Sequence, residues 1–117
     1  MSFVKAANTS EIPVNSMMTI KLQGMNIILA NIEGTFYAIP YKCTHLGGPL
    51  GKGELKDGIV TCPWHGARFD VRTGEAVGDA KIGFIKMKVK DEPSLAIKVE
   101  GDEILVDIHS ASGLPVN

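Results

Sequence analysis

Two short segments of this chain each combine one thiol with one imidazole. The first is Cys43-Thr44-His45-Leu46-Gly47-Gly48, and the second is Cys62-Pro63-Trp64-His65-Gly66-Ala67. Together they contain both cysteines of the protein and two of its three histidines, and sixteen residues separate His45 from Cys62. Thiolate and imidazole are ligands of transition metals, so this set of four side chains predicts a metal site.

The order of the ligands narrows the kind of metal site. Structural zinc fingers usually pair cysteine with cysteine and histidine with histidine. Here each segment mixes the two types, as C-x-H and then C-x-x-H. The mixed order suits a dinuclear site in which one iron takes a cysteine from each segment and the other takes a histidine from each, as in a Rieske [2Fe–2S] centre. A mononuclear zinc site and, for a secreted chain, a disulfide between the cysteines are the alternatives.

Short strands must position the two loops, because helical periodicity is scarce and Gly, Asn or Asp punctuates the apolar runs. Strands are predicted at residues 3–6, 17–22, 25–32, 35–39, 59–61, 67–71, 84–90, 95–99 and 104–108. The continuous apolar run at 27–30 predicts a buried strand. Lys86, Lys88 and Lys90 alternate with apolar residues, which predicts a half-buried strand with a basic face.

The number and spacing of these strands predict the fold class. Six to ten short strands at close spacing indicate an all-β sandwich or small barrel. We expect a single domain over residues 1–117 with a frayed tail at 110–117. Glycines surround the first loop, and Gly51 and Gly53 are among those predicted to let the backbone approach an inorganic cofactor closely.

Composition and charge exclude several classes of function. The chain has 117 residues, 44% of them hydrophobic, and a formal net charge of −1. The sequence has no basic stripe of the kind that indicates a nucleic-acid partner. No apolar run approaches the ~20 residues of a membrane helix, and the N-terminus lacks the apolar core of a signal peptide. We therefore expect a cytoplasmic protein without nucleic-acid or membrane partners.

The two loops resemble the Rieske family. The motif of that family is C-x-H, then a gap about as long as the one between His45 and Cys62, then C-x-x-H, and a glycine follows each half. The flanks match as well, in Gly48-Pro49-Leu50, Ala67-Arg68-Phe69-Asp70 and Thr73-Gly74-Glu75-Ala76. The resemblance covers about residues 41–76. It implies a Rieske-like, antiparallel β-sandwich or small barrel with a cluster-binding subdomain formed by two loops. It implies that Cys43 and Cys62 bind the inner iron of one [2Fe–2S] cluster, and that His45 and His65 bind the outer iron near the surface.

Differences within the family predict how the cluster is tuned. Rieske proteins of the respiratory and photosynthetic cytochrome complexes have a disulfide between the loops, and Gly48 and Trp64 occupy those positions here. They also place a serine and a tyrosine hydroxyl near the cluster, where Ala67 and Phe69 have no donor. Donors raise the potential, so we predict a value toward the low end of the Rieske range of about −150 to +300 mV.

The resemblance implies a Rieske-type ferredoxin, which is an electron-transfer protein rather than an enzyme. Such a protein takes electrons from a reductase and passes them to an oxygenase or other terminal redox enzyme. One alternative is a Rieske small subunit or regulatory module of a larger reductase, similar to nitrite reductase small subunits. Another is a zinc-stabilised interaction domain. We expect no catalytic residues, because the sequence contains no nucleotide loop and no nucleophile–base pair.

Three residues outside the ligand set are interpreted structurally. Trp64 is expected to shield the cluster by packing, and His109 to be a surface histidine. Asp70 is expected to form a salt bridge with Arg68 or a turn contact.

Overall fold

The structure is a computed structural model that describes residues 3–41, 49–63, 66–78, 80–82, 85–87 and 94–108. These residues form twelve strands and two short 3-10 helices, Thr9–Glu11 and Leu50–Lys52. The strands are β1 Val4–Asn8, β2 Ser16–Leu22, β3 Met25–Ile32, β4 Thr35–Pro40, β5 Glu54–Lys56, β6 Ile59–Thr61, β7 Arg68–Asp70, β8 Ala76–Gly78, β9 Ala80–Ile82, β10 Ile85–Met87, β11 Ala96–Glu100 and β12 Glu103–Asp107. All pairings between them are antiparallel, as expected for this fold class. In the described ranges no helix has the length and apolar character that a membrane span requires.

The middle strand of the central sheet is buried on both faces. The sheet has the order β2-β3-β4, and β3 contains the apolar run predicted to be a buried strand. Successive side chains of a strand point to opposite faces. Ile28 and Ala30 therefore pack into one core, while Ile27 and Leu29 pack into another. Burial on both sides explains why this strand shows no polar alternation.

Each face of the central sheet contributes to a different hydrophobic core. One core also receives residues from the four-stranded sheet β5-β6-β7-β8, and we call it the loop core. The other also receives residues from the sheet β1-β12-β11, and we call it the base core. The loop core consists of Ile28, Ala30, Ile39, Leu50, Val60, Cys62, Ala67, Phe69 and Val71. The base core consists of Ala7, Ile12, Leu22, Ile27, Leu29, Ala38, Leu95, Ile104, Val106 and Ile108.

The hairpin turns have the geometry that their sequences predict. Gln23-Gly24, Glu33-Gly34 and Asp57-Gly58 each have two consecutive residues with positive φ, between 51° and 93°. This is the pattern of type I′ turns, whose twist matches that of the flanking strands. The turns therefore fix the register of the hairpins on which the loops are built.

A buried asparagine joins the central sheet to the segment before it. The Asn31 side-chain amide donates to the Ile12 carbonyl (2.8 Å), and its Oδ1 accepts from the Gly34 N–H (2.9 Å). Because Asn31 is buried, these two bonds replace the water that its amide would otherwise need.

The described strands outnumber the predicted six to ten. Strands β5, β8 and β9 were not predicted, because each has only three residues and is stabilised by pairing with a neighbour rather than by an apolar pattern of its own. The described part of predicted strand 84–90 is β10, which pairs with β9. Lys88, Lys90, His109 and the predicted tail 110–117 lie outside the described residues.

Candidate metal centre

The first ligand loop is anchored at both of its ends. Residues 42–48, which include Cys43 and His45, lie outside the described residues. On either side of them, the Leu50 N–H donates to the Tyr41 carbonyl (3.1 Å). The Tyr41 N–H in turn donates to the carbonyl of Asn26 in β3 (3.1 Å). The base of this loop is therefore fixed to the central sheet.

The second ligand loop lies between β6 and β7 and is closed at its base. The Cys62 N–H donates to the Ala67 carbonyl (2.7 Å) across this base. Trp64 and His65 lie outside the described residues. Gly66 has φ +73°, a backbone conformation that favours glycine at this position.

The bases of the two loops meet in the loop core. Leu50 ends the first loop, Cys62 and Ala67 delimit the second, and all three belong to this core. Tyr41, at the start of the first loop, is partly buried and packs against the same core. Of the four predicted ligands, the structure thus describes Cys62 and brings the bases of both ligand loops together.

Cys62 has surroundings that suit a cysteine ligand of an inner iron. Its thiol is free, and Cys62 is only 1% exposed. Ala67 and Phe69, which belong to the same core, are fully buried. The apolar neighbours exclude water, while thiolate is the ligand that iron–sulfur clusters take from cysteine. Because the other predicted ligands lie outside the described residues, the described ranges contain no group of three metal-binding side chains.

The 3-10 helix after the first loop contains a glycine that is closely surrounded. A Cβ on Gly51 would lie 2.5 Å and 2.6 Å from Cε2 and Cδ2 of Tyr41 and would overlap Oγ1 of Thr19. Just beyond the helix, a Cβ on Gly53 would overlap the carbonyl oxygen of Thr61, the residue before Cys62. The close neighbours of these two glycines are protein atoms, at the bases of the two loops and, for Thr19, in β2.

An ion pair lies within the hairpin turn that follows β7. Oδ1 of Asp70 accepts from both N and Nε of Arg72, each at 2.9 Å. The hydrogen bond from the Arg72 side chain lowers the pKa of Asp70, and partial desolvation opposes this shift. The turn contact predicted for Asp70 is confirmed, but Arg72 rather than Arg68 supplies the cation. Asp70 ends its strand, so its side chain reaches forward into the turn.

The same arginine lies beside the turn that contains Gly58. The Arg72 guanidinium lies 3.0–3.2 Å from the position of a Cβ on Gly58. The Val71 N–H donates to the Gly58 carbonyl (2.9 Å). These contacts lie at the end of β6 and β7 away from Cys62, so they stabilise the sheet and not the ligand loops.

Comparison with known proteins agrees with this arrangement. Residues 2–87 match the family model of the Rieske [2Fe-2S] domain. The ferredoxin component of biphenyl 2,3-dioxygenase from Rhodococcus jostii (strain RHA1) is 30% identical over 109 residues, which are 93% of this chain and 95% of that protein. Apoptosis-inducing factor 3 from Homo sapiens is 44% identical over 59 residues, or 50% of this chain, but the match spans only 10% of that protein.

A solved structure shares the fold over nearly its whole length. The ferredoxin of carbazole 1,9a-dioxygenase from Nocardioides aromaticivorans IC177 superimposes with a TM-score of 0.77 and 26% identity, covering 91% of this chain and 97% of that one. The family match, the fold and the paired loop bases lead to one conclusion. The chain belongs to the Rieske [2Fe-2S] domain family.

Proposed function

We propose that this chain is a one-electron carrier that takes electrons from a reductase and passes them to an oxygenase. The observation that carries the proposal is the extent of the match to a dioxygenase ferredoxin, which includes 93% of this chain and 95% of that protein. The proposal includes a single Rieske domain over residues 1–117 and a cytoplasmic location.

The proposed ligands are Cys43 and Cys62 for one iron and His45 and His65 for the other. When bound, a [2Fe–2S] cluster gains and loses one electron. The chain's contribution is to hold the cluster and to keep water from its cysteine side. The burial of Cys62 and the apolar loop core around it support this assignment.

Metal and spectroscopic analysis tests the cofactor. Anaerobically purified protein should be red-brown, contain about two irons and two inorganic sulfides per chain, and give a Rieske-type EPR signal when reduced. Colourless protein that contains zinc would contradict the proposal and support a zinc-stabilised interaction domain.

The third histidine provides a matched control for the ligand assignment. Replacing His45 or His65 with alanine should abolish the Rieske spectrum, whereas His109→Ala should leave iron content and spectrum unchanged. Loss of iron in His109→Ala, or normal spectra in both other variants, would refute the assignment.

A second candidate function is a Rieske module that works with a larger reductase. The match to apoptosis-inducing factor 3 favours it, because a chain similar to part of this one occurs there within a much longer protein. Purification from the native host distinguishes the two candidates. A carrier should purify without a partner and oxidise and reduce rapidly with separate redox proteins, whereas a module should purify in fixed ratio with a large catalytic subunit.

A further inference from the structure

Tyr41 connects the start of the first ligand loop to three other parts of the molecule. Its N–H donates to β3 at Asn26, and its carbonyl accepts from Leu50 on the far side of the loop. Its side chain packs against the loop core, which contains Cys62. Tyr41 precedes the predicted ligand Cys43 by two residues. Any displacement of this tyrosine therefore moves the point from which the first loop departs.

The position of the Tyr41 ring depends on the absence of a side chain at residue 51. The Cβ position of Gly51 lies 2.5 Å from Cε2 and 2.6 Å from Cδ2 of the ring, which is closer than real Cβ atoms approach. Gly51 has no positive φ that would require glycine, so contact with its neighbours, not backbone conformation, restricts this position. Adding a methyl group must displace the Tyr41 ring and the Thr19 side chain, or else the 3-10 helix itself.

We propose that Tyr41 is a positioning residue for the first ligand loop, and that Gly51 is the partner that lets its ring lie in place. The ring sets the start of that loop relative to the core that contains Cys62. This inference rests on the proposed function, since it takes residues 43 and 45 of the first loop and Cys62 as ligands of one cluster. It assigns to Gly51 a contact with protein atoms of the loop base.

Gly51→Ala tests the contact from one side. We expect a folded protein whose reduced EPR line shape and visible circular dichroism differ from those of the wild type. We also expect it to release its iron to a chelator at least about fivefold faster. This factor corresponds to the smallest free-energy cost expected when a methyl group is added to a well-packed site. A role limited to fold stability would change the thermal midpoint without changing the EPR line shape.

Substitutions of Tyr41 test the contact from the other side. Tyr41→Phe retains the ring and should keep the wild-type spectrum, whereas Tyr41→Ala should alter it. In the Tyr41→Ala background, adding Gly51→Ala should have a smaller effect than in the wild type, because the ring it displaces is absent and only the overlap with Thr19 remains. Such non-additivity is the signature of two residues in contact. Gly53→Ala is the matched control: it overlaps Thr61 and not Tyr41, so its effect should add to that of Tyr41→Ala.

The outcomes separate this inference from the proposed function. Wild-type protein without an iron–sulfur spectrum would overturn both. A normal wild-type spectrum combined with an unchanged spectrum and iron release in Gly51→Ala would overturn only the positioning role. So would Tyr41→Phe behaving like Tyr41→Ala, or full additivity of Gly51→Ala and Tyr41→Ala. If Gly51→Ala fails to fold, the two Tyr41 variants still decide the question.

Discussion

The loop core and the base core lie back to back on strand β3, and they are built for different tasks. The base core takes its residues from strands and from the segments beside them, and none comes from a base of the two ligand loops. The loop core includes Leu50, Cys62 and Ala67, which are the ends of those loops. Because neighbouring residues of β3 serve opposite cores, adjacent substitutions in one strand can separate the stability of the domain from the properties of its metal centre.

The largest expected effect comes from a pair of neighbouring substitutions. Ile27 and Ile28 are both almost fully buried, the first in the base core and the second in the loop core. Either one replaced with alanine should lower the free energy of unfolding by about 2–5 kcal/mol, measured by chemical denaturation. Only Ile28→Ala should also change the EPR line shape. Equal spectral changes in both variants would remove the distinction between the two cores.

A smaller loss of stability is expected for Asn31→Ala. The variant leaves the Ile12 carbonyl and the Gly34 N–H without the bonds that the side chain made, which costs about 1–3 kcal/mol. Because both partners lie away from the ligand loops, the midpoint of unfolding should fall while the potential stays constant. A shifted potential would show that this contact couples to the metal centre.

Ala67→Ser should raise the reduction potential without a large loss of stability. The new hydroxyl would add a donor in the loop core, where Ala67 is fully buried. One net hydrogen bond of about 0.5–1.5 kcal/mol corresponds to a shift on the order of tens of millivolts. The matched control is Ala38→Ser in the base core, which buries the same hydroxyl and should leave the potential unchanged. An unchanged or lower potential in Ala67→Ser would refute this account of the tuning.

The smallest effect concerns acid stability. The pKa of Asp70 is lowered by its hydrogen bond with Arg72, so the ion pair stabilises the folded state above the unfolded pKa of about 3.9. That stabilisation is lost as the pH falls through the lowered pKa. Solvent screens this pair, so Asp70→Asn should reduce stability only slightly near neutral pH, and the difference from wild type should disappear in acid. Unfolding midpoints measured at several pH values check this; a difference that grows in acid would contradict it.

Local sequence patterns were sufficient to predict part of the fold. The buried strand β3 was predicted correctly from its apolar run, because burial restricts residue types locally, and glycine in the hairpin turns provides the positive φ that these turns need. The strands β5, β8 and β9 were missed, since three-residue strands depend on their neighbours for hydrogen bonds.

For the site, the motif identified the loops but not the contacts at their bases. Gly51 lies so close to the Tyr41 ring and to Thr19 that a Cβ would overlap them, and these residues are separated in the chain. The choice of Arg72 over Arg68 depends on how the turn after β7 bends. Neither contact leaves a periodic or compositional signal in the sequence, and both require the tertiary structure.

The pairing of β1 with β12 has a consequence for the order in which the protein is built. Val4 pairs with Val106, and Asn8 pairs with Glu103. The central and four-stranded sheets, by contrast, contain only strands that follow one another in the chain. During synthesis the strands around the ligand loops can therefore pair while the ribosome is still adding residues. The sheet of the base core must wait until residue 107 has emerged.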